Sequence, residues 1–532
     1  MQRYDLGPFW VVIRSFYIMK PCSERCHAGS TLCSFGWLAV AVALVMLPGH
    51  LAYGGAVLLE TKIDAIGLDN VQALAASPDN KFIYSVSGGL TVQDGGLDED
   101  DDAMAVFSRD DSTGSLTFVA SYKNGKGNAG FGLSGPADVT VSPDGKHVYV
   151  AASRANSIGT LAAYTRDTVT GEVTWAWQTA QGTVPTLADI QAVALSPDSL
   201  FVYTAGGGFF ANGGSGEAYY VNVFSRNTTT GALTFVASVD DGSVTGLGGA
   251  KDLVVSPDGK HLYVASAKDG AVAVFSRDLG TGQLTHVEAQ VNGVGPVTGL
   301  AGACKVAVDP AGSNVYAVGY DDDGLVVFAR DSGTGALTHL ETLSGTSNGL
   351  DAPKGLAIYP DGTEVYVSGD TGDGLGIFSV FNRDTMTGAL SYHTSFYGDD
   401  GPKDLQGADD IIAIEGTTQN NLYVAGPTTS AISMFGILVG EWSWFEATAL
   451  ALTDVGSVAN VYVVSPGDQG LSIFARDVGT GLLTYVAHLR NGLAGMTSFN
   501  DPWEIAVSVD GKSVYVINHN MQSPSIMTFS RS

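Results

Sequence analysis

Basic residues are scarce: 26 Lys and Arg stand against 54 Asp and Glu in 532 residues, a formal net charge of −28. A field of that sign repels phosphate backbones and anionic lipid, which excludes nucleic acid and anionic membrane surfaces as partners and leaves proteins, glycans, cations and small molecules. Cysteine is scarcer still. Cys22, Cys26 and Cys33 precede an apolar run from Trp37 to Leu47, and only Cys304 lies in the body of the chain. No disulfide framework or thiolate metal cluster can be built there. Long hydrophobic runs are missing too, because the stretch from Trp37 to Leu47 is too short to span a bilayer comfortably.

That run follows Lys20 and Arg25 and leads into Pro48, Gly49 and the small residues near Gly54, which is the order of a secretory signal peptide. Residues 1–54 are therefore read as a signal peptide with an N-terminal extension. Residues 55–532 are read as one exported domain, periplasmic, extracellular or cell-surface, with no membrane span in its mature form. Because residues 1–54 hold four basic and two acidic residues, the mature net charge would be −30.

Glycine, by contrast, is abundant, at 69 residues, and 45% of the chain is hydrophobic, so tight turns and a large core are both available. The tyrosine of a Val-Tyr-Val-like strand recurs at Tyr84, Tyr149, Tyr203, Tyr263, Tyr316, Tyr366, Tyr423, Tyr462 and Tyr515. A period of about 54 residues is that of a repeat architecture. The clearest unit runs from Asp252 through the Ser256-Pro257-Asp258-Gly259 turn and the Val274-Phe275-Ser276-Arg277 strand to the Thr281-Gly282 turn. These are four short β-rich runs separated by turn residues. A unit this small cannot bury both faces of its sheet, so the sheets must stack, and radial stacking gives a ring. The expected fold is all-β: a single closed β-propeller of about nine four-stranded units, with seven or eight blades as the alternatives. Residues 56–67 align with the fourth strand at Ala336–Gly345, so the N-terminal strand is expected to close the last blade.

The pairing of Ser142-Pro143-Asp144-Gly145 before Val148-Tyr149-Val150 with Val274-Phe275-Ser276-Arg277-Asp278 before Thr281-Gly282-Gln283-Leu284 resembles a known family. It is that of the seven-bladed propellers of the lactonase and muconate-cycloisomerase type, with the related YVTN-repeat surface proteins. The resemblance spans residues 56–532. It implies chemistry by charged residues, typically His and Arg, at the channel-side start of the innermost strands. Here those positions read Gln72-Ala73, Ala137-Asp138, Gln191-Ala192, Lys251-Asp252, Cys304-Lys305, Lys354-Gly355 and Trp503-Glu504, with no histidine or arginine among them.

Two functions follow. The first is a secreted acidic scaffold that binds a protein, glycan or small molecule through the irregular loop face at Gly88–Asp102, Gly206–Ala218 and the links between units. The alternative is a lactonase-like hydrolase or isomerase at the central channel, in which Lys251, Lys305 or Lys354 holds a substrate carboxylate while Asp138, Asp252 or Glu504 acts as base. No cofactor is required, although the acidic loop at Asp98, Asp100 and Asp102 has the oxygen donors of a calcium site. Arg109, Arg166, Arg226, Arg277, Arg330, Arg383, Arg476 and Arg531 recur in nearly every unit and are read as turn-stabilising partners of nearby aspartates or carbonyls. Trp175 and Trp177, like Trp442 and Trp444, alternate on one face of a fourth strand and are read as packing between blades, with stacking on a sugar or a partner as the functional alternative.

Overall fold

The computed structural model describes most of residues 52–530. The first 51 residues and several connecting segments, among them 89–101, 211–216, 438–448 and 491–501, lie outside the described residues. The signal-peptide reading, Trp442, Trp444, Asp98 and Asp100 fall there.

Among the described residues every long element is a β-strand, and the sheets are antiparallel meanders in chain order. Six sheets of four consecutive strands follow one another through residues 71–397. Their innermost strands are Val71–Ala76, Pro136–Val141, Ile190–Leu195, Ala250–Val255, Ala303–Val308 and Pro353–Ile358. These open blades 1 to 6. Blade 7 has Asp410–Ile414, Asn420–Gly426 and Ala431–Ile437, and takes its fourth strand, Ala56–Ile63, from the N-terminal end. Each innermost strand touches the next, and the strand of blade 7 touches that of blade 1.

The core lies between blades, as stacked two-sided sheets require. One cluster joins Tyr84, Val86 and Val106 of blade 1 to Val139, Val148 and Tyr164 of blade 2. Another joins Tyr423, Ile432 and Met434 of blade 7 to Leu74, Ile83 and Phe107 of blade 1, which closes the cycle. Two further sheets, Ala449–Arg490 and Pro502–Ser530, pack on each other through Tyr462, Leu471, Ile505, Val514 and Val516. The cycle therefore has seven members, the lowest of the expected counts, and the N-terminal strand completes the seventh unit rather than the ninth. The reason is visible in the spacing: Tyr423 and Tyr462 are only 39 residues apart, because the strand that would lie between them is supplied from residues 56–63.

The repeated residues form a latch at the rim of the ring. Arg277 of blade 4 is buried, and its guanidinium donates to the Tyr203 hydroxyl of blade 3 (2.6 Å), to the Gly259 carbonyl (2.9 Å) and to Asp198 of blade 3 (2.8 Å). Tyr203 in turn donates to the Gly282 carbonyl. Arg166, Arg226, Arg330 and Arg383 repeat this on Tyr84, Tyr149, Tyr263 and Tyr316, and Arg109 does so on Tyr423 across the closure. Five of these arginines thus reach back to the preceding blade's turn aspartate, whereas Arg109 pairs with Asp111 beside it in sequence and meets Asn421 across the closure. Gly282 explains the Thr-Gly motif: it has φ +74°, and a Cβ there would strike the Phe201 ring.

Burial alone would raise the latch aspartates, but hydrogen bonds from the turn serine and the guanidinium outweigh it, holding Asp144 and Asp258 down at about 2. His147 and His261 join the same latches: Nδ1 of each lies 2.7 Å from the guanidinium of Arg226 or Arg330, which can only donate. Burial and that cation push His147 down to about 4. The junction between blades 6 and 7 lacks the latch. Ile437 occupies the arginine position in the strand register, and Tyr366 donates to Glu364 of its own strand instead.

Candidate active site

At the axis, the first residue after the bulge that opens each innermost strand is Ala73, Asp138, Ala192, Asp252, Lys305 or Gly355, paired respectively with Val86, Ala151, Ala205, Ala265, Val318 and Ser368. Asp410, paired with Ala425, holds the same place in blade 7. One layer of the ring thus carries three aspartates and one lysine from four different blades.

Each aspartate also braces the blade that follows it. Asp138 accepts the Val193 N–H (2.7 Å), Asp252 that of Val306 (2.9 Å) and Asp410 that of Leu74 (2.9 Å). The other Asp138 oxygen accepts its neighbour's N–H at Val139 (2.8 Å). These bonds fix the carboxylates against the backbone, so their positions are set by the ring and not by side-chain freedom.

Lys305 Nζ lies 3.4 Å from Asp410 Oδ1, with 27% of the lysine side chain accessible. Burial works against its charge, but Asp410, Asp252, Asp138 and Asp409 together raise it well above the ordinary lysine value. Three of the aspartates are raised as well, but in their case burial is the cause rather than the opposing influence. Burial pushes Asp138 up to about 7; Lys305 and the Val193 N–H hold it down, while Asp252 and Asp410 push it further up. Asp252 and Asp409 are raised as well, burial again leading. A carboxyl that titrates near neutrality in the field of a charged ammonium is suited to acid–base work.

The flanking positions add charge at the same end. Lys354 lies between Asp370 (3.9 Å) and Asp409 (3.8 Å), and Lys251, exposed, donates to the Gln191 side chain (3.3 Å). Cys304 is no nucleophile: burial pushes its thiol up to about 12, and it donates to the Pro353 carbonyl.

Five of the six residues expected from sequence, Lys251, Asp252, Asp138, Lys305 and Lys354, therefore meet at one end of the axis. Glu504 does not join them. It is exposed on Pro502–Val507, a strand that packs on Ala449–Val455 and Val458–Ser465 outside the sevenfold cycle. The lysines are also less free than expected, since Lys305 and Lys354 are held by aspartates. Asp409, Asp410 and Asp370 were missed. Asp409-Asp410 could have been found by aligning Ile411–Ile414 with the other innermost strands, but the seventh unit has no Ser-Pro-Asp-Gly turn to anchor that alignment.

Among the described residues no group of three or more His, Cys, Asp or Glu side chains is placed to hold a metal ion. Asp102, the described member of the acidic loop, is buried just before the third strand of blade 1. Trp175 and Trp177 do not share a face. A bulge between them pairs Trp175 with Tyr164 and Trp177 with the adjacent Ala163. Trp177 consequently lines an apolar cleft with Val184, Phe224 and Phe235 of blade 3, while Trp175 covers Gly130 in the link from blade 1.

The family model described as Lactonase, 7-bladed beta-propeller matches residues 59–190, 97–238, 178–299 and 295–401, which together cover more than half of the chain. The chain belongs to this lactonase propeller family. Solved structures similar to it include the periplasmic gluconolactonase of Pseudomonas aeruginosa, 21% identical with a TM-score of 0.48, covering 61% of this chain and 84% of that one. Putative 6-phosphogluconolactonases from Bacteroides uniformis (19%, TM-score 0.46, 64% and 90% covered) and Bacteroides fragilis (16%, TM-score 0.47, 81% and 98% covered) are also similar. No curated protein matches the sequence. No helix among the described residues is long and apolar enough to cross a membrane. Membership of the lactonase family favours the hydrolase reading over the scaffold reading.

Proposed function

We propose that this lactonase-family propeller hydrolyses a lactone at the axis of its ring. The observation that carries the reading is the meeting of Asp138, Asp252 and Asp410 with Lys305 on one layer, in a chain of this family. Asp138, in its carboxylate form, takes a proton from the water that attacks the lactone carbonyl carbon. The new carbon–oxygen bond places negative charge on the carbonyl oxygen, which the Lys305 ammonium balances from a fixed, partly desolvated position. Collapse of that intermediate breaks the ring carbon–oxygen bond. Asp138 returns its proton to the departing ring oxygen, and the open-chain hydroxy acid leaves as a carboxylate. Asp410 and Asp252 act on Lys305, keeping it charged and in place.

The base form does the work, so turnover should rise with pH through about 7, the value at which Asp138 ionises. Initial rates of lactone ring opening, corrected for spontaneous hydrolysis, should show this limb in the wild type. Asp138→Asn should lose both the rate and the limb. A folded wild-type protein that opens no lactone would overturn the reading and return the binding scaffold as the working account.

A further inference from the structure

The axis carries more carboxylate than ammonium, and its ammonium groups are already engaged. Five aspartates (138, 252, 370, 409 and 410) face three lysines. Lys305 is paired with Asp410, and Lys354 stands between two carboxylates. Lys251 alone of the three is held by a neutral group, the Gln191 amide. Among the arginines whose side chains are described, the guanidinium groups that would grip a phosphate or carboxylate in two-pronged fashion are committed elsewhere: Arg109, Arg166, Arg226, Arg277, Arg330 and Arg383 are buried in the rim latches. A phosphate entering here could meet Lys251 without breaking an ion pair, but would lie against the surrounding carboxylates in doing so.

Resting on the lactone-hydrolysis reading, we infer that the site takes uncharged polyhydroxy lactones and turns away lactones that bear a phosphate or carboxylate. Carboxylates at the axis offer acceptors to sugar hydroxyls, which an uncharged polyol satisfies without displacing a counter-ion. The same field acts on the product. Ring opening turns a neutral molecule into an anion by forming a carbon–oxygen bond to water, breaking the ring ester and releasing one proton. The product is therefore repelled by the site that made it, so inhibition by the hydroxy acid should be weak relative to substrate binding.

The test compares glucono-δ-lactone with 6-phosphoglucono-δ-lactone, which differ by the phosphate alone. The uncharged lactone should have the higher kcat/KM by about tenfold or more at low salt, with the gap narrowing as salt screens the field. Asp409→Asn should narrow it at constant salt. Equal or better turnover of the phosphorylated lactone, or a phosphate preference abolished by Lys251→Ala, overturns the inference and leaves lactone hydrolysis standing. Turnover of neither lactone by folded protein overturns the hydrolysis reading, and this inference with it.

Discussion

The aspartates at the rim and those at the axis are one residue type on one repeat, set in opposite surroundings. At the rim, Asp79, Asp144, Asp198 and Asp258 meet a buried guanidinium and a serine hydroxyl, and each is held below its ordinary value. At the axis, Asp138, Asp252 and Asp409 meet burial and each other, and each is held above it. The arginine–tyrosine bond of the rim recurs at six of the seven junctions of the cycle, and the cross-blade aspartate at five of them, among the described residues. The axial position varies from blade to blade: aspartate in three, alanine in two, and lysine or glycine in one each at the same register. What repeats holds the ring together, and what varies against an invariant register is where a single site can be made.

The comparison breaks most sharply at Asp138. Asp138→Asn should lower kcat on a lactone by about 100- to 10,000-fold, the usual contribution of a positioned base, with little loss of thermal stability because it removes a charge that burial disfavours. At the rim, Arg277→Met should do the reverse. It removes the donor shared by the Tyr203 hydroxyl, the Gly259 carbonyl and the partly solvated Asp198 carboxylate, and should cost about 2–3 kcal/mol in chemical denaturation while leaving the axial chemistry of the folded fraction intact.

A third prediction concerns the sign of pH dependence. Asp138 has a folded value raised to about 7 from 3.8, so the folded state prefers the proton, and stability from this group falls as pH rises from about 4 through 7. The stability of Asp138→Asn relative to wild type should therefore improve by up to a few kcal/mol over that interval. Asp144 works the other way: its contribution is present above its ordinary value of 3.8 and is lost as pH falls towards 2. Asp144→Asn should thus matter at neutral pH and cease to matter in strong acid.

The smallest effect is local. Ser199 sits at φ 61° in the turn where Gly145, Gly259, Gly312 and Gly362 sit at 70–76°. Ser199→Gly should raise stability by about 1 kcal/mol, read as a rise in Tm, because glycine relieves the left-handed strain.

Much of this fold was legible in the sequence because the repeat states its own geometry: the Ser-Pro-Asp-Gly and Thr-Gly turns, the buried tyrosine and the arginine recur in register. The axial pairs before the innermost strands could be read from the same register, which is why Asp138, Asp252 and Lys305 were found. The seventh unit escaped because its fourth strand comes from the far end of the chain and its first turn departs from the motif. Asp410 was lost with it, and Glu504, in a unit outside the cycle, was counted instead. Trp175 and Trp177 were placed on one face because alternation holds only in an unbroken strand, and the bulge between them reverses it. Nor could sequence tell that Lys305 and Lys354 are already paired, since their partners come from other blades or from a strand's far end.

The central claim, that the axial carboxylate and not the repeated rim performs the chemistry, is tested most directly by measuring kcat for glucono-δ-lactone in wild type and Asp138→Asn, each shown to be folded. The account predicts measurable wild-type turnover that falls by at least about 100-fold in the variant. A variant as active as the wild type would contradict it.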